Sequence, residues 1–206
     1  MVGPDPTISG QLGTDRLNTP QVAGDGWVKP NHDDMIPSVI RAADLTVSRW
    51  VNGAGRKADI ATGEGWLLGF AWLDQDAPFS DYSDHDRTIM LLEGPGFSLD
   101  LPAGSVLSVT ERFVPEAFDG AGPMACRVRG PSRVLNAIST YPGWSHTMQV
   151  ISGTDLASVA PGETVFAVVL RGAVGDAGVG DTVPLTATTK GGDGILAIVR
   201  FEKDVE

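Results

Sequence analysis

Short apolar segments alternate with turn residues from about residue 38 to the end of the chain. Val, Ile, Leu and aromatic residues fill the segments, while glycine, proline and aspartate separate them, as is typical of β-strands joined by tight turns. The run from Ile89 to Leu92 is apolar at every position, so both faces of that strand are expected to be covered, as inside a sandwich or barrel. The pattern predicts strands at residues 38–42, 66–73, 88–93, 97–101, 106–110, 125–128, 133–138, 147–151, 164–170, 182–188 and 195–202.

Two other segments lack the period of a strand. Residues 1–37 are polar, with scattered proline, glycine, aspartate and asparagine, and are predicted to form an extended or partly disordered arm. The stretch AADL at residues 42–45 suggests a short helical turn, and nothing else has convincing helical periodicity. The sequence therefore predicts an all-β fold.

A weak internal repeat links two parts of the chain. TIMLLEGPG and VFAVVLRGAVG are both apolar strands that end in a charged residue followed by glycine, and a second glycine-led strand comes after each. The matching glycines are Gly94 with Gly172 and Gly104 with Gly180. Glycine adopts the positive φ that tight hairpin turns require. The repeat predicts two similar β units in one chain.

The composition narrows the functional classes. The 206 residues, 42% of them hydrophobic, suffice for one large or two small domains with a sizeable core. A net charge of −11 argues against nucleic acid or an anionic membrane surface as a partner, because both attract clustered Lys and Arg. The single cysteine, Cys126, excludes an internal disulfide and is expected to lie in the core. Since no signal peptide and no apolar run of about 18 residues is recognisable, a cytoplasmic protein is expected.

Three motifs carry a resemblance to a known family. They are IRAADL followed by RWVNGAGRKADIA, then PFSDYSDHDRTIMLLEGPGFSLDL, then CRVRGPSRVLNAIS. In order and spacing they resemble the HutD/Ves family, and the LLEGPG and LPAGS turns resemble the cupin barrel. The resemblance implies a bicupin, with two cupin-like β-barrel or jelly-roll units in one compact chain, at residues 38–145 and 146–206 with some strands shared. It also implies an accessory or regulatory protein of bacterial histidine utilisation that binds a small metabolite.

The sequence departs from the family's usual pattern at positions where polar groups would face a pocket. Val51 stands where lysine is usual, and Ala54 replaces the middle glycine of a GGG. The usual Thr–Arg–Glu and Asp–Phe–Asn read Lys57–Ala58–Asp59 and Val134–Leu135–Asn136. The ligand is therefore expected to differ from that of relatives, or binding to be lost.

The metal-ligand positions of cupins fall on unsuitable residues. In metal-binding members of the cupin family, which this chain resembles, two His, one Glu and a further His hold the metal. Counted from the glycine turns, the Glu positions fall on Arg87 and Val165, the paired His positions on Asp81 and Ser83 or on Ser80 and Tyr82, and the last His on Leu107. A fixed cation at Arg87 would repel a metal ion. No metal and no other cofactor are therefore expected.

Arg87 is the leading candidate for ligand binding. A guanidinium at a barrel mouth can hold a carboxylate by two hydrogen bonds, and the pair is stronger where water is excluded. The alternative is a turn or structural ion pair with Asp86, Glu93 or Asp59. The other predicted contacts of a small anionic metabolite are Trp50, Asn52, Lys57 and Asn136.

Three of these other candidates have a structural alternative. Trp50 and Asn52 belong to WVNGAG, whose backbone N–H groups could form an anion nest, but a tight turn that carries a core tryptophan gives the same pattern. For Asn136, pocket lining and strand-end capping are equally open. His85 is expected in a solvated turn, pointing away from the barrel, and His146 in an exposed loop.

Three functional hypotheses follow. The first is a metal-free bicupin that binds a small carboxylate through Arg87, in the first barrel. The second is a cupin-like isomerase, hydrolase or metal-dependent oxygenase that uses His85, Asp86 or His146. The third is a structural or interaction protein with a degenerate pocket, as the departures at Val51 and elsewhere suggest. A homodimer is compatible with all three, because open sheet edges tend to pair.

Overall fold

A computed structural model of the chain describes residues 39–50, 52–102, 104–186 and 189–204. The arm predicted at residues 1–37 lies outside these ranges. The all-β prediction is confirmed for the described residues, where two short 3-10 turns, Ala42–Asp44 and Gly153–Asp155, accompany the strands. The strands are β1 Ser48–Arg49, β2 Gly55–Gly63, β3 Trp66–Leu73, β4 Ala77–Phe79, β5 His85–Glu93, β6 Phe97–Asp100, β7 Val106–Val109, β8 Pro115–Asp119, β9 Met124–Val128, β10 Ser132–Thr140, β11 Trp144–Ser152, β12 Thr164–Arg171, β13 Thr182–Pro184 and β14 Ile195–Lys203. In this part of the chain no helix is long and apolar enough to cross a membrane.

The predicted strands form, except the one at residues 38–42 and the second half of the one at residues 182–188, which forms only over Thr182–Pro184. Residues 38, 187 and 188 of these two predictions lie outside the described ranges. In the first of them, Ile40 makes only an isolated bridge with Thr182, and the chain then enters the 3-10 turn that AADL predicts. The apolar pattern does not predict β1, β2, β4 and β8. These strands are short or carry charged and small residues on a partly exposed face, so they lack the alternation that marks a half-buried strand.

The strands form three antiparallel sheets. The central sheet has six strands in the order β1-β2-β3-β10-β5-β8. The small sheet has the order β4-β9-β6-β7, and the C-terminal sheet has the order β11-β14-β12-β13. β10 pairs with both β3 and β5, so these three strands form the middle of the molecule.

The central sheet is buried on both faces, because successive side chains of a strand point to opposite sides. On β5, Met90 belongs to an apolar cluster that includes Phe166 of the C-terminal sheet. Its neighbour Ile89 belongs to a second cluster that includes Phe97 of the small sheet. This two-sided burial is the reason why the run from Ile89 to Leu92 is apolar at every position.

The internal repeat corresponds to a shared backbone turn. Gly94 after β5 and Gly172 after β12 have φ of 93° and 70°, and a register shift interrupts strand pairing just before each. Gly104 and Gly180 also have positive φ, of 80° and 89°. The boundary predicted between residues 145 and 146 falls inside β11, and the division into two units stays a prediction.

Candidate functional site

A small cavity lies at one end of the central sheet, on the face that packs against the small sheet. The volume of the cavity is about 60 Å³, counted as the space open to the centres of water molecules. On this measure one water molecule needs about 10–15 Å³. The cavity therefore has room for a few waters or for a small organic acid. The residues that line it are Trp50, Lys57, Asp59, Leu67, Gly69, Phe70, Ala71, Phe79, Ser80, Tyr82, Arg87, Asn136 and Ile138.

Strand register brings the polar residues of the cavity to one face. Arg87 of β5 lies opposite Ile138 of β10, and Asn136 lies two residues earlier on β10, opposite Gly69 of β3. Gly69 in turn lies opposite Asp59 of β2. Gly69 lets β2 and β3 approach closely at this point, because a Cβ there would lie 2.9 Å from the carbonyl oxygen of Ala58.

Arg87 is buried beside three aromatic rings. The residue is 5% exposed, and its guanidinium carbon lies 4.5 Å, 4.8 Å and 5.2 Å from the ring centres of Phe79, Tyr82 and Phe118. Nη1 donates a long hydrogen bond of 3.5 Å to the carbonyl oxygen of Ser80. Nε is buried and has no hydrogen-bond partner. The aromatic residues are missing from the sequence prediction, although PFSDY placed two of them close to Arg87.

The structural ion pairs considered for Arg87 do not form. Among the described residues Glu93 pairs with Arg133, at 2.9 Å, and Asp59 pairs with Lys57, at 3.1 Å, while no carboxylate pairs with Arg87. Burial lowers the pKa of Arg87 to about 10, an effect that the nearby Tyr82 hydroxyl partly opposes. Arg87 is therefore a buried cation without a neutralising partner in the described part of the chain.

Asn136 contributes a second unsatisfied polar group to the same cavity. The residue lies within β10, is 8% exposed, and does not cap a strand end. Its Oδ1 is buried and accepts no hydrogen bond. Most buried polar atoms in proteins have a partner, so an unpaired amide oxygen in the same cavity as the unpaired Nε of Arg87 requires an explanation.

Two more predicted residues, Trp50 and Lys57, also reach this cavity. Trp50 packs edge-on against Phe79, with ring centres 6.4 Å apart. Lys57 and its partner Asp59 are exposed and lie at the rim, where their charges compensate each other. Four of the five predicted contacts are therefore brought together around one cavity.

The structure does not bring Asn52 to this cavity. Asn52 is exposed, and its Oδ1 accepts a hydrogen bond of 3.0 Å from the Ala54 N–H. The Gly53 N–H donates to the carbonyl oxygen of Trp50 at 2.9 Å. Because these N–H groups are used inside the loop, the tight-turn alternative describes WVNGAG better than the anion nest.

The metal-ligand positions separate into two groups. Ser80 and Tyr82 line the cavity with Arg87. Asp81 and Ser83, the other alignment, are exposed and hydrogen-bonded to each other at 3.0 Å. No cluster of three or more His, Cys, Asp or Glu side chains occurs within the ranges that the structure describes.

The predictions for the two histidines need correction. His85 begins β5 rather than lying in a turn, and its Nδ1 lies 2.8 Å from the carbonyl oxygen of Ser83. It does not line the cavity. The proline and glycine of YPGWSH favoured a loop, but His146 lies on β11 and is partly buried.

His146 belongs to a hydrogen-bonded cluster on the other face of the central sheet. Its Nδ1 lies 2.8 Å from Ser139 Oγ, and its Nε2 lies 3.0 Å from Thr88 Oγ1. Burial lowers the pKa of His146, and the charge of Asp86 partly opposes this effect. Ser139 is completely buried, so this cluster connects β11 to the central sheet without offering its serine to a substrate.

Comparisons with known proteins agree with this fold. A model of the HutD family matches residues 42–191. An uncharacterised 21.2 kDa protein in the hutC 3′ region of Pseudomonas putida is 29% identical over 124 residues, which are 56% of this chain and 65% of that protein. The match thus spans slightly less than two thirds of that relative.

Two solved structures show the same fold. HutD from Pseudomonas fluorescens SBW25 superposes with a TM-score of 0.69 at 22% identity, and the match covers 82% of this chain and 100% of that one. A cupin 2 conserved barrel domain protein from Leptotrichia buccalis superposes with a TM-score of 0.50 at 9% identity, over 72% of this chain and 88% of that one. The predicted cupin-like architecture is confirmed.

Proposed function

The chain belongs to the HutD family and has a cupin-like fold, and on that premise we propose that it binds a small carboxylate metabolite at Arg87, without a metal, as an accessory or regulatory protein. The P. putida relative is described by its position beside hutC. That position supports an intermediate of histidine degradation as the ligand class. Urocanate and formylated or formiminated glutamate are carboxylates of this kind.

One observation carries the proposal: a buried guanidinium that no carboxylate neutralises within the described residues. Moving a charge out of water costs several kcal/mol unless a partner compensates it. The three rings around Arg87 offset this cost by about 0.5–2 kcal/mol each, but they leave the positive charge without a counter-ion. A ligand carboxylate would supply the missing partner.

The arrangement of donors suits a carboxylate. A guanidinium presents parallel N–H groups that match the two carboxylate oxygens, and the Nε–H of Arg87 is free for such a contact. The rings of Phe79, Tyr82 and Phe118 exclude water, which strengthens the ion pair. Lys57 and Asp59 at the rim cancel each other, so Arg87 dominates the field inside the cavity.

The metal-free part of the proposal rests on the same residue. The position that holds the Glu ligand in metal-binding cupins corresponds here to Arg87, by the count from Gly94. The neighbouring cavity residues Ser80 and Tyr82 are weak metal ligands. A permanent positive charge beside them favours an anion over a cation.

Thermal unfolding against a panel of small acids tests the proposal. Ligands that bind the native state raise the unfolding temperature by mass action. The panel contains formate, acetate, urocanate and formylated and formiminated glutamate, each with a divalent metal and with a chelator. We expect at least one acid to stabilise the protein equally in both conditions, and we expect the Arg87→Met variant to lose this response.

A matched control separates the cavity from general charge effects. Arg133 lies on the same sheet and over an aromatic ring, Phe70, but it has a carboxylate partner in Glu93. Arg133→Met should respond to the acid as the wild type does. Stabilisation by a metal alone would contradict the metal-free proposal and support an enzyme. No response to any acid would support a site that has lost its function.

A further inference from the structure

We propose that the ligand carries, besides its carboxylate, an N–H group that donates a hydrogen bond to Oδ1 of Asn136. This inference rests on the proposed function of Arg87 and adds a second contact that defines the ligand more narrowly. It would make the ligand an acid with a nearby amide or ring N–H, such as an N-acyl amino acid or an imidazole acid, and not a simple carboxylate.

The first argument is the pairing of two unsatisfied groups in one cavity. The described residues contain four buried side-chain polar atoms without a partner, and two of them, Arg87 Nε and Asn136 Oδ1, belong to residues that line this cavity. One is a donor and the other an acceptor. A ligand that satisfies both must present an acceptor at one point and a donor at another.

The second argument is their spacing on the sheet. Asn136 lies opposite Ile89, and Arg87 lies opposite Ile138, so the two residues are diagonal neighbours on paired strands. Diagonal neighbours on one face are about 7 Å apart, a distance that a small molecule can bridge between two side chains. Gly69, which lies opposite Asn136 on β3, lines the same cavity and adds no side chain to it.

The third argument is the burial of the amide. A buried asparagine oxygen without a partner destabilises the ligand-free protein, since an apolar residue of similar size would avoid that desolvation cost. The surrounding residues Gly69 and Ile138 offer no side-chain donor. The charged groups at the rim of the cavity, Lys57 and Asp59, are already paired with each other.

Two acids that differ only in the N–H group test the inference. N-acetylglycine and 4-oxopentanoate share the carboxylate and the carbonyl, but the first has N–H where the second has CH₂. Dissociation constants are measured by NMR titration of the full chain. We expect the wild type to bind N-acetylglycine about tenfold or more tightly than 4-oxopentanoate, because the buried acceptor stays unpaired with the second acid.

Variants locate the preference. Asn136→Leu replaces the amide by an apolar side chain of similar volume. The variant should still bind both acids, but with equal affinity. Asn52→Ala removes an amide outside the cavity and should keep the wild-type preference. The comparison in the wild type requires no variant, so it stands even if Asn136→Leu does not fold.

The outcomes distinguish this inference from the proposed function. Equal affinity of the wild type for the two acids, or a preference that survives in Asn136→Leu, would overturn the role of Asn136 and leave the carboxylate contact of Arg87 in place. Binding of neither acid by the wild type, or unchanged binding in Arg87→Met, would overturn the proposed function and this inference with it.

Discussion

Replacing Arg87 by methionine should cost the ligand-free protein little stability. The change from the usual pKa of 12.5 to about 10 corresponds to a cost of about 3 kcal/mol for the charged form, which is the form present at pH 7 in both the folded and the unfolded chain. Methionine removes that cost but also three cation–π contacts, which at about 0.5–2 kcal/mol each are together of the same size. Its unbranched stem still packs against the rings. We expect the free energy of unfolding to stay within about 2 kcal/mol of the wild-type value, whereas removing one partner of a buried ion pair costs about 3–5 kcal/mol.

Urea unfolding followed by tryptophan fluorescence measures this change. The chain contains 5 tryptophans, and Trp50 lines the cavity itself. Both proteins are unfolded at pH 7 in a buffer free of carboxylates, because a bound acid would stabilise the wild type and hide the effect. The two proteins are compared by the urea concentration at their unfolding midpoints, with one shared slope of free energy against urea. The difference in stability then needs no extrapolation to zero urea.

Arg133→Met is the matched control for this experiment. Arg133 lies over the ring of Phe70 at 5.2 Å and has a buried Nε without a partner, but its Nη2 pairs with Glu93. Losing that pair should leave stability unchanged or lower it. If Arg87→Met instead lost about 3 kcal/mol or more while the control did not, the guanidinium would be a structural element of the fold, and the reasoning from its unpaired charge would be refuted.

Three further predictions concern other parts of the structure. Burial lowers the pKa of His146, so folding favours its neutral form and the stability should fall as the pH drops below about 6.5. Between pH 7 and pH 5 the urea midpoint of His146→Gln should therefore fall less than that of the wild type. An equal fall of the two midpoints would contradict this. Burial raises the pKa of Cys126 to about 12, so a thiol reagent at pH 8 should react promptly only with unfolded protein; fast reaction of the folded chain would show the thiol to be accessible. Gly94→Ala should lower the free energy of unfolding by more than about 2 kcal/mol, because φ is 93° and the new Cβ would lie 2.3 Å from the carbonyl oxygen of Pro131; calorimetry would contradict this by finding an unchanged unfolding temperature.

The fold was largely accessible from local sequence signals. The apolar run from Ile89 to Leu92 indicated a strand covered on both sides, and its neighbours in the two cores confirm this. Gly94 and Gly172 marked equivalent turns because a positive φ leaves little alternative to glycine. These signals work because each depends on a few residues that are adjacent in the chain.

Features set by distant parts of the chain were harder to predict. The pattern gave no indication of β8, which pairs with β5 at the sheet edge and places Phe118 beside Arg87. His146 seemed to belong to a loop because Pro142 and Gly143 precede it, but pairing of β11 with β14 continues through it. Such contacts join residues far apart in sequence, where local propensity carries little information.

The candidate site could be predicted only in part, because it too depends on contacts between distant parts of the chain. Counting from the glycine turn located Arg87, because strand geometry fixes positions relative to a turn. The same count could not decide whether Arg87 had a carboxylate partner, since that depends on where the side chains of Glu93 and Asp59 pair. Asn52 was chosen by its position in a glycine-rich loop, yet its side chain is used to close that loop.

Isothermal titration calorimetry of urocanate into the wild type and into Arg87→Met tests the central claim most directly. The account predicts saturable binding to the wild type that a chelator does not change, and no detectable binding to the variant. Equal affinity of the two proteins, or binding to the wild type that disappears with the chelator, would contradict a metal-free carboxylate site at Arg87.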